Sequence, residues 1–193
     1  MPTILTRHPV VFVLVLSAAV FAGCDILGEN EPQTNQAPEG IYVANQGNFR
    51  DANGTVTFYN PSNSEVEHDI IPNIGSIIQS LALRGNRGYI MSNSANRLDV
   101  FDLESHERVA QIPDIKSPRY MEFIDDTTAY VTNQSTGTIT VIHLPDNSKQ
   151  NILKVGSQPE GITMSAKKAY VANHGFGSGS TVSIINTEQT MVE

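Results

Sequence analysis

The chain has 193 residues, enough for one domain with a real core, and a formal net charge of −8. No basic cluster interrupts that acidic balance, which excludes a nucleic-acid groove, because neutralising phosphates needs concentrated Lys and Arg. Trp is absent, Gly and Pro are frequent, and Val, Ile and Thr recur in short runs, a balance that favours strands and turns over helices.

Residues 1–23 read as a secretory leader: one firm positive charge at Arg7, an apolar run from Val10 to Phe21, then small residues. The run is too short for a spanning helix, which needs roughly 20 apolar residues. Its ending, "FAGC", resembles the lipobox of bacterial lipoproteins, in which the cysteine is lipidated and becomes the first mature residue; Phe21 stands where Leu is usual. Cys24 is the only cysteine, so no intramolecular disulfide competes for it. Residues 24–39 then read as a lipidated Cys followed by a polar tether, and the expected location is a bacterial cell envelope, lipid-anchored, with the membrane as first partner. A plain cleaved leader is the alternative.

From residue 40 the chain repeats itself. Tyr42, Tyr89, Tyr130 and Tyr170 mark one place in four units, separated by 47, 41 and 40 residues, near the period of propeller blades. Each unit divides into four short strands, A to D. The third is the clearest, with "RYMEFI" (119–124), "AYVTNQ" (129–134), "TITVIHL" (138–144) and "QNILKV" (150–155) parted by "DDT", "STG" and "PDNS" turns. The second follows with "IIQSLAL", "GYIMSNS", "RLDVFDL" and "RVAQI", and the fourth with "GITMS", "KAYVANH" and "TVSIINT". Alternation in strand C puts Ile139 with Val141, and Leu98 with Val100, on one face. No helical period stands out beyond the leader. The expected fold is all-β, a β-propeller of four-stranded antiparallel blades, with about four blades present over residues 40–193.

"YVAN" at Tyr42, "YVTN" at Tyr130 and "YVAN" at Tyr170 resemble the YVTN-repeat, or YncE-like, β-propellers of bacterial cell envelopes. "SQPEGITMS" (157–165) is similar to that family's blade start; "KSPRYMEF" (116–123) keeps the Pro and loses the Gly. The second unit departs further, with Ile77 read at the Pro position and Ser92 at the Asn position. The resemblance implies about seven blades, or about 300 residues at roughly 40–45 per blade. The first unit opens at strand B and "TEQTMVE" reaches only the start of a fourth strand D. The expectation is therefore a truncated seven-bladed ring, or an arc that pairs with another copy, marginal because it exposes two blade faces. The resemblance also implies capture of a small-molecule nutrient, cobalamin among those captured by similar lipoproteins. A protein–protein interaction surface, with an envelope protein as partner and no small ligand, is the second reading. A quinoprotein-like dehydrogenase subunit is the enzymatic alternative.

The residues carry no catalytic constellation. His68, His106, His143 and His174 sit in different units without ligand spacing, and Cys-x-x-Cys, Gly-x-Ser-x-Gly and Ser-x-x-Lys are missing. "GFGSGS" (175–180) joins two strands rather than opening a helix, so it reads as a hairpin tip and not a phosphate loop. Asp51 and Asn53 with Gly54 fall short of a calcium loop, and Asp125 and Asp126 read as turn residues bonding their own backbone. The expectation is a non-enzyme with no cofactor and no metal. Tyr at the start of strand B reads as inter-blade packing with its hydroxyl at a blade edge, and Asn45, Asn133 and Asn173 as caps of the B–C turn.

Loop length is the remaining signal. From the marker Tyr to the first Thr of strand C takes 8 steps in the third unit, 13 in the first and 11 in the fourth. The extra residues bring Asn48, Phe49 and Arg50 in one loop and His174 and Phe176 in the other, while the D–A segments add Arg119 and Glu160. B–C loops and D–A connections emerge on one face of a propeller, around the channel mouth. These seven residues form the expected ligand or partner surface, with tolerated loop drift as the alternative.

Overall fold

The computed structural model describes residues 39–177 and 181–193. The leader, Cys24, most of the tether and the end of the Gly175 loop lie outside the described residues. What is described is four antiparallel sheets in chain order. The first has three strands, β1 (Ile41–Asn45), β2 (Thr55–Asn60) and β3 (Glu65–Glu67). The second holds β4 (Ile78–Arg84), β5 (Arg87–Ser92), β6 (Arg97–Asp102) and β7 (Arg108–Pro113). The third holds β8 (Pro118–Phe123), β9 (Thr128–Asn133), β10 (Thr138–His143) and β11 (Ser148–Lys154). The fourth holds β12 (Pro159–Ser165), β13 (Lys168–Asn173), β14 (Thr181–Asn186) and β15 (Met191–Val192). Each sheet is an up-and-down meander, the expected blade, and the sheets do not close into a ring. Among the described residues the only helical element is a 3-10 turn, Gly175–Gly177.

Three apolar clusters lie between successive blades. Val56 and Ile71 of the first blade meet Ile90 and Phe101 of the second; Tyr89, Met91, Leu98 and Val100 meet Ala129, Val131 and Ile142 of the third; Tyr130, Ile139 and Val141 meet Ala169, Val171 and Ile185 of the fourth. Strand alternation therefore sends the Tyr-bearing face of each blade onto the next blade, as the pairing of Ile139 with Val141 and of Leu98 with Val100 implied. Volume is balanced across the B–C ladder. Phe101 lies opposite Gly88, where a Cβ would come within 2.1 Å of its ring, while Ile142 and Ile185 lie opposite Ala129 and Ala169.

The tyrosine hydroxyls differ from blade to blade. Tyr42 donates to the Leu103 carbonyl of the next blade at 2.9 Å, a link between blades rather than an edge group. Burial, reinforced by the Glu67 and Asp102 carboxylates, pushes its hydroxyl up to about 12. Tyr130 is fully buried, and burial raises it too.

The repeated Asn is not a turn cap. Asn133 Nδ2 donates to the Thr138 and Thr140 hydroxyls of strand C at 3.0 and 2.7 Å; Asn173 does the same to Thr181 and Ser183, and Asn45 to Thr55 and Thr57. The amide thus clamps two alternate hydroxyls of the neighbouring strand. Blade two replaces the whole set. Ser92 donates to Asp99, which also binds Arg97, Arg108 and Gln111, so a hydroxyl, a carboxylate and a guanidinium stand where the others have one amide and two hydroxyls. Asp99 is 0% exposed and has partners on every side.

Strand A carries a bulge at one place in blades two to four, between Ile78 and Leu81, Pro118 and Met121, and Pro159 and Ile162. This register corrects the alignment of the second unit: Ile78, not Ile77, occupies the proline position, opposite Ser92. Its N–H donates to the Gln46 carbonyl of blade one at 3.1 Å, a bond that proline could not make.

Candidate functional site

The bulge residues that follow those positions are Gln79, Arg119 and Glu160, one from each of three neighbouring inner strands. They form a single row. Arg119 Nε lies 2.9 Å from both Glu160 oxygens, Nη2 bonds Glu160 Oε1, and Nη1 bonds Gln79 Oε1. Gln134 Nε2 adds a longer bond to Glu160 Oε2 at 3.3 Å. The backbone beneath is stitched in the same direction, with Ser80 Oγ donating to the Arg119 carbonyl at 2.5 Å and Thr132 Oγ1 to the Glu160 carbonyl at 2.8 Å. The row therefore ties blade two to blade three and three to four. Arg119 and Glu160 belong to strand A itself, at its bulge, rather than to the D–A connections.

A second tier comes from the residue after each clamp position: Gln46, Asn93, Gln134 and His174. Asn93 Nδ2 donates to the Pro118 carbonyl at 3.1 Å, which leaves its Oδ1 as an acceptor. Gln46, Asn93 and Gln134 line one cavity of about 410 Å³ together with Phe49, Ile77, Gln79, Arg119 and Phe176. A smaller hollow of about 160 Å³ adjoins it, lined by Arg119, Gln134, Glu160, His174 and Phe176. The larger volume lies within the roughly 300–1,000 Å³ of small-molecule sites.

Five of the seven residues singled out in the sequence therefore meet here: Phe49, Arg119, Glu160, His174 and Phe176. Phe49 and Phe176 arrive from opposite ends of the described chain and are 83% and 69% exposed. Phe176 has φ 43°, a left-handed conformation that costs a non-glycine residue energy. It is held there by its N–H on His174 Nδ1 at 3.2 Å and by an edge-on contact between the two rings at 5.3 Å. Asn48 and Arg50 line neither cavity. Asn48 closes its own loop: its Oδ1 accepts the Asp51 N–H at 2.8 Å, its Nδ2 donates to Asp51 Oδ2 at 2.7 Å, and its N–H donates to Asn53 Oδ1 at 2.9 Å. Asp51 and Asn53 are thus engaged within the loop that carries Phe49, and no group of three or more potential metal ligands occurs among the described residues.

Residues 39–193 match a family model described as a domain of unknown function, DUF5074. The chain belongs to the DUF5074 family. No curated protein matches it. Among solved structures the DUF5074 domain is similar to hydrazine synthase of Kuenenia stuttgartiensis, at TM-score 0.70 and 18% identity over 81% of this chain and 46% of that one. It is also similar to the dihydro-heme d1 dehydrogenase NirN, at TM-score 0.61 and 15% identity over 72% and 32%, and to a functionally unknown protein from Desulfotomaculum acetoxidans DSM 771, at 0.61 and 16% over 82% and 52%. The chain spans about half or less of the length of each of these. At such identities the likeness is one of fold, and the fold is the β-propeller.

Residues that the sequence reading passed over, Gln46, Gln79, Asn93 and Gln134, complete the mouth of this DUF5074 domain. A signal existed for three of them: Gln46, Asn93 and Gln134 each follow the clamp residue directly, whereas Gln79 follows Ile78, whose place opposite Ser92 appears only in the register.

Proposed function

We propose that this chain is a non-enzymatic binding propeller of the YVTN type, lipid-anchored through Cys24 in a bacterial cell envelope, that recognises a ligand through the loops and inner strands at one mouth. The observation that supports this reading is the convergence of side chains from all four blades on one cavity, with two exposed phenylalanines at its rim. Exposed aromatics beside ordered polar groups, placed by a rigid scaffold, are what recognition requires and what a purely structural loop does not. A small molecule is favoured over a flat protein surface because Gln79 and Arg119 of the polar row line a concavity.

Native mass spectrometry of the protein purified from its expression host, as wild type and as Phe49→Ala/Phe176→Ala, tests the mouth. A retained small-molecule adduct that the double variant loses supports the reading, and an adduct equally retained by both contradicts it. Labelled palmitate tests the anchor. Incorporation that disappears in Cys24→Ser is expected, and incorporation indifferent to that change contradicts it.

A further inference from the structure

We infer that the mouth takes an uncharged polyhydroxylated ring, a saccharide, rather than an anion or a cation. This rests on the binding reading above and adds the chemistry of the ligand to it.

Charge is the first argument. Arg119 is the only Arg or Lys lining either cavity among the described residues, and Glu160 is the only Asp or Glu. They neutralise each other through a two-point contact, and the third guanidinium nitrogen is held by Gln79. A carboxylate or phosphate would have to displace Glu160, and would do so on a chain of net charge −8. A cationic ligand would likewise have to displace Arg119.

The second argument is the kind of hydrogen-bonding capacity left over. Gln79 accepts from Arg119 through Oε1, which leaves its Nε2 donors facing no partner among the described residues. Asn93 donates through Nδ2, which leaves Oδ1 as an acceptor. Gln46 and Gln134 bring two further amides to the same cavity. Neutral amides that offer donors and acceptors side by side match vicinal hydroxyls, each of which both donates and accepts. A ligand with one strong charge would leave most of these amides without a partner of its own kind.

The third argument is the rim. Phe49 and Phe176 offer ring faces with no hydroxyl or indole N–H, suited to the C–H faces of a sugar ring while its hydroxyl edge meets the amides. Their supports are built to hold them out: the Asn48–Asp51–Asn53 bonds on one side, and the His174 ring and ring nitrogen on the other. Holding the aromatics in place beforehand lowers the ordering cost of binding.

The test is protein-detected NMR of the full chain titrated separately with maltose, cellobiose, lactose and N,N′-diacetylchitobiose, and with inorganic phosphate, spermidine and adenosine as contrasting probes. The expected result is a saturable shift of the Gln46, Gln79, Asn93 and Gln134 side-chain amides by at least one disaccharide, weakened about tenfold or more in Phe49→Ala/Phe176→Ala. Gln79→Ala, which leaves both aromatics in place, is expected to weaken the same sugar as well. Saturable shifts of these amides by phosphate, spermidine or adenosine with none from any sugar overturn the saccharide and leave the mouth as the binding site. Saturable binding of a sugar whose shifts fall only outside the mouth overturns both, as does a mouth unmoved by every probe.

Discussion

Two rows of polar side chains run through this chain at repeat-fixed positions, and they are built differently. The clamp row (Asn45, Ser92–Asp99, Asn133, Asn173) lies between strands B and C of single blades, and in blades two to four its key groups are buried with partners from within the same blade. The mouth row (Gln79, Arg119, Glu160) lies across blades, one residue per inner strand, and opens onto a cavity. The first kind of row holds a sheet together. The second ties neighbouring blades together at an open cavity, and in the proposed reading it positions groups for a ligand. If that division is right, mutations in the clamp row should reduce stability and leave the mouth's chemistry intact, and mutations in the mouth row should do the reverse.

The largest effect is expected at Asp99. Asp99→Ala leaves the half-buried Arg97 and Arg108 guanidiniums and the buried Ser92 hydroxyl without their shared carboxylate, which should cost about 3 kcal/mol, measurable by urea denaturation. Converting three members of the set to the form of blade three, Ser92→Asn/Arg97→Thr/Asp99→Thr, should instead recover most of that loss, because only Arg108 and Gln111 are then left without the carboxylate. A large loss in the triple variant would show that blade two needs its charges for something the other blades lack. Next comes Gly88→Ala, where the added methyl meets the Phe101 ring at 2.1 Å and overpacking costs roughly 1–3 kcal/mol. Asn133→Ala should cost about 1–2 kcal/mol through two lost hydrogen bonds. Gln79→Ala, in the mouth row, should cost under about 1 kcal/mol, since its amide is only partly buried.

A pH effect completes the series at the small end. Tyr42 is raised in the folded state from 10.0 to about 12, so the folded chain binds the phenolic proton more tightly than the unfolded one. Its contribution is full below pH 10 and declines as pH rises toward about 12. Tyr42→Phe should flatten the loss of stability over that window, with Tyr89 and Tyr130, both raised by burial, supplying the remaining slope. An unchanged slope in the variant would mean that the Tyr42 hydroxyl is not buried beside Glu67 and Asp102 as described.

The blades were legible in the sequence because a meander writes its strands in order and alternation survives in each. Register was not. The bulge in strand A inserts residues that no local pattern announces, which is why Ile77 was aligned with the prolines when Ile78 stands opposite Ser92. The same bulge hid the role of Gln79, whose equivalence to Arg119 and Glu160 appears only once all three strands are in register. The Asn clamp was misread for a related reason: its partners Thr138 and Thr140 lie across a hairpin, and the pairing that brings them under the amide is a property of the ladder. The aromatics were found because loop length and composition are local. Asn48 was grouped with them because sequence cannot tell a residue that lines a cavity from one that fastens its own loop.

The most direct test of the proposal that the mouth is where this chain binds combines two readings on one sample of Phe49→Ala/Phe176→Ala: the melting temperature and ligand retention. Both rings are exposed, so the account predicts a melting temperature within about 2 °C of wild type together with loss of the ligand. A lowered melting temperature with the ligand still bound would contradict it, because the phenylalanines would then be part of the scaffold and the mouth would not be where this chain binds.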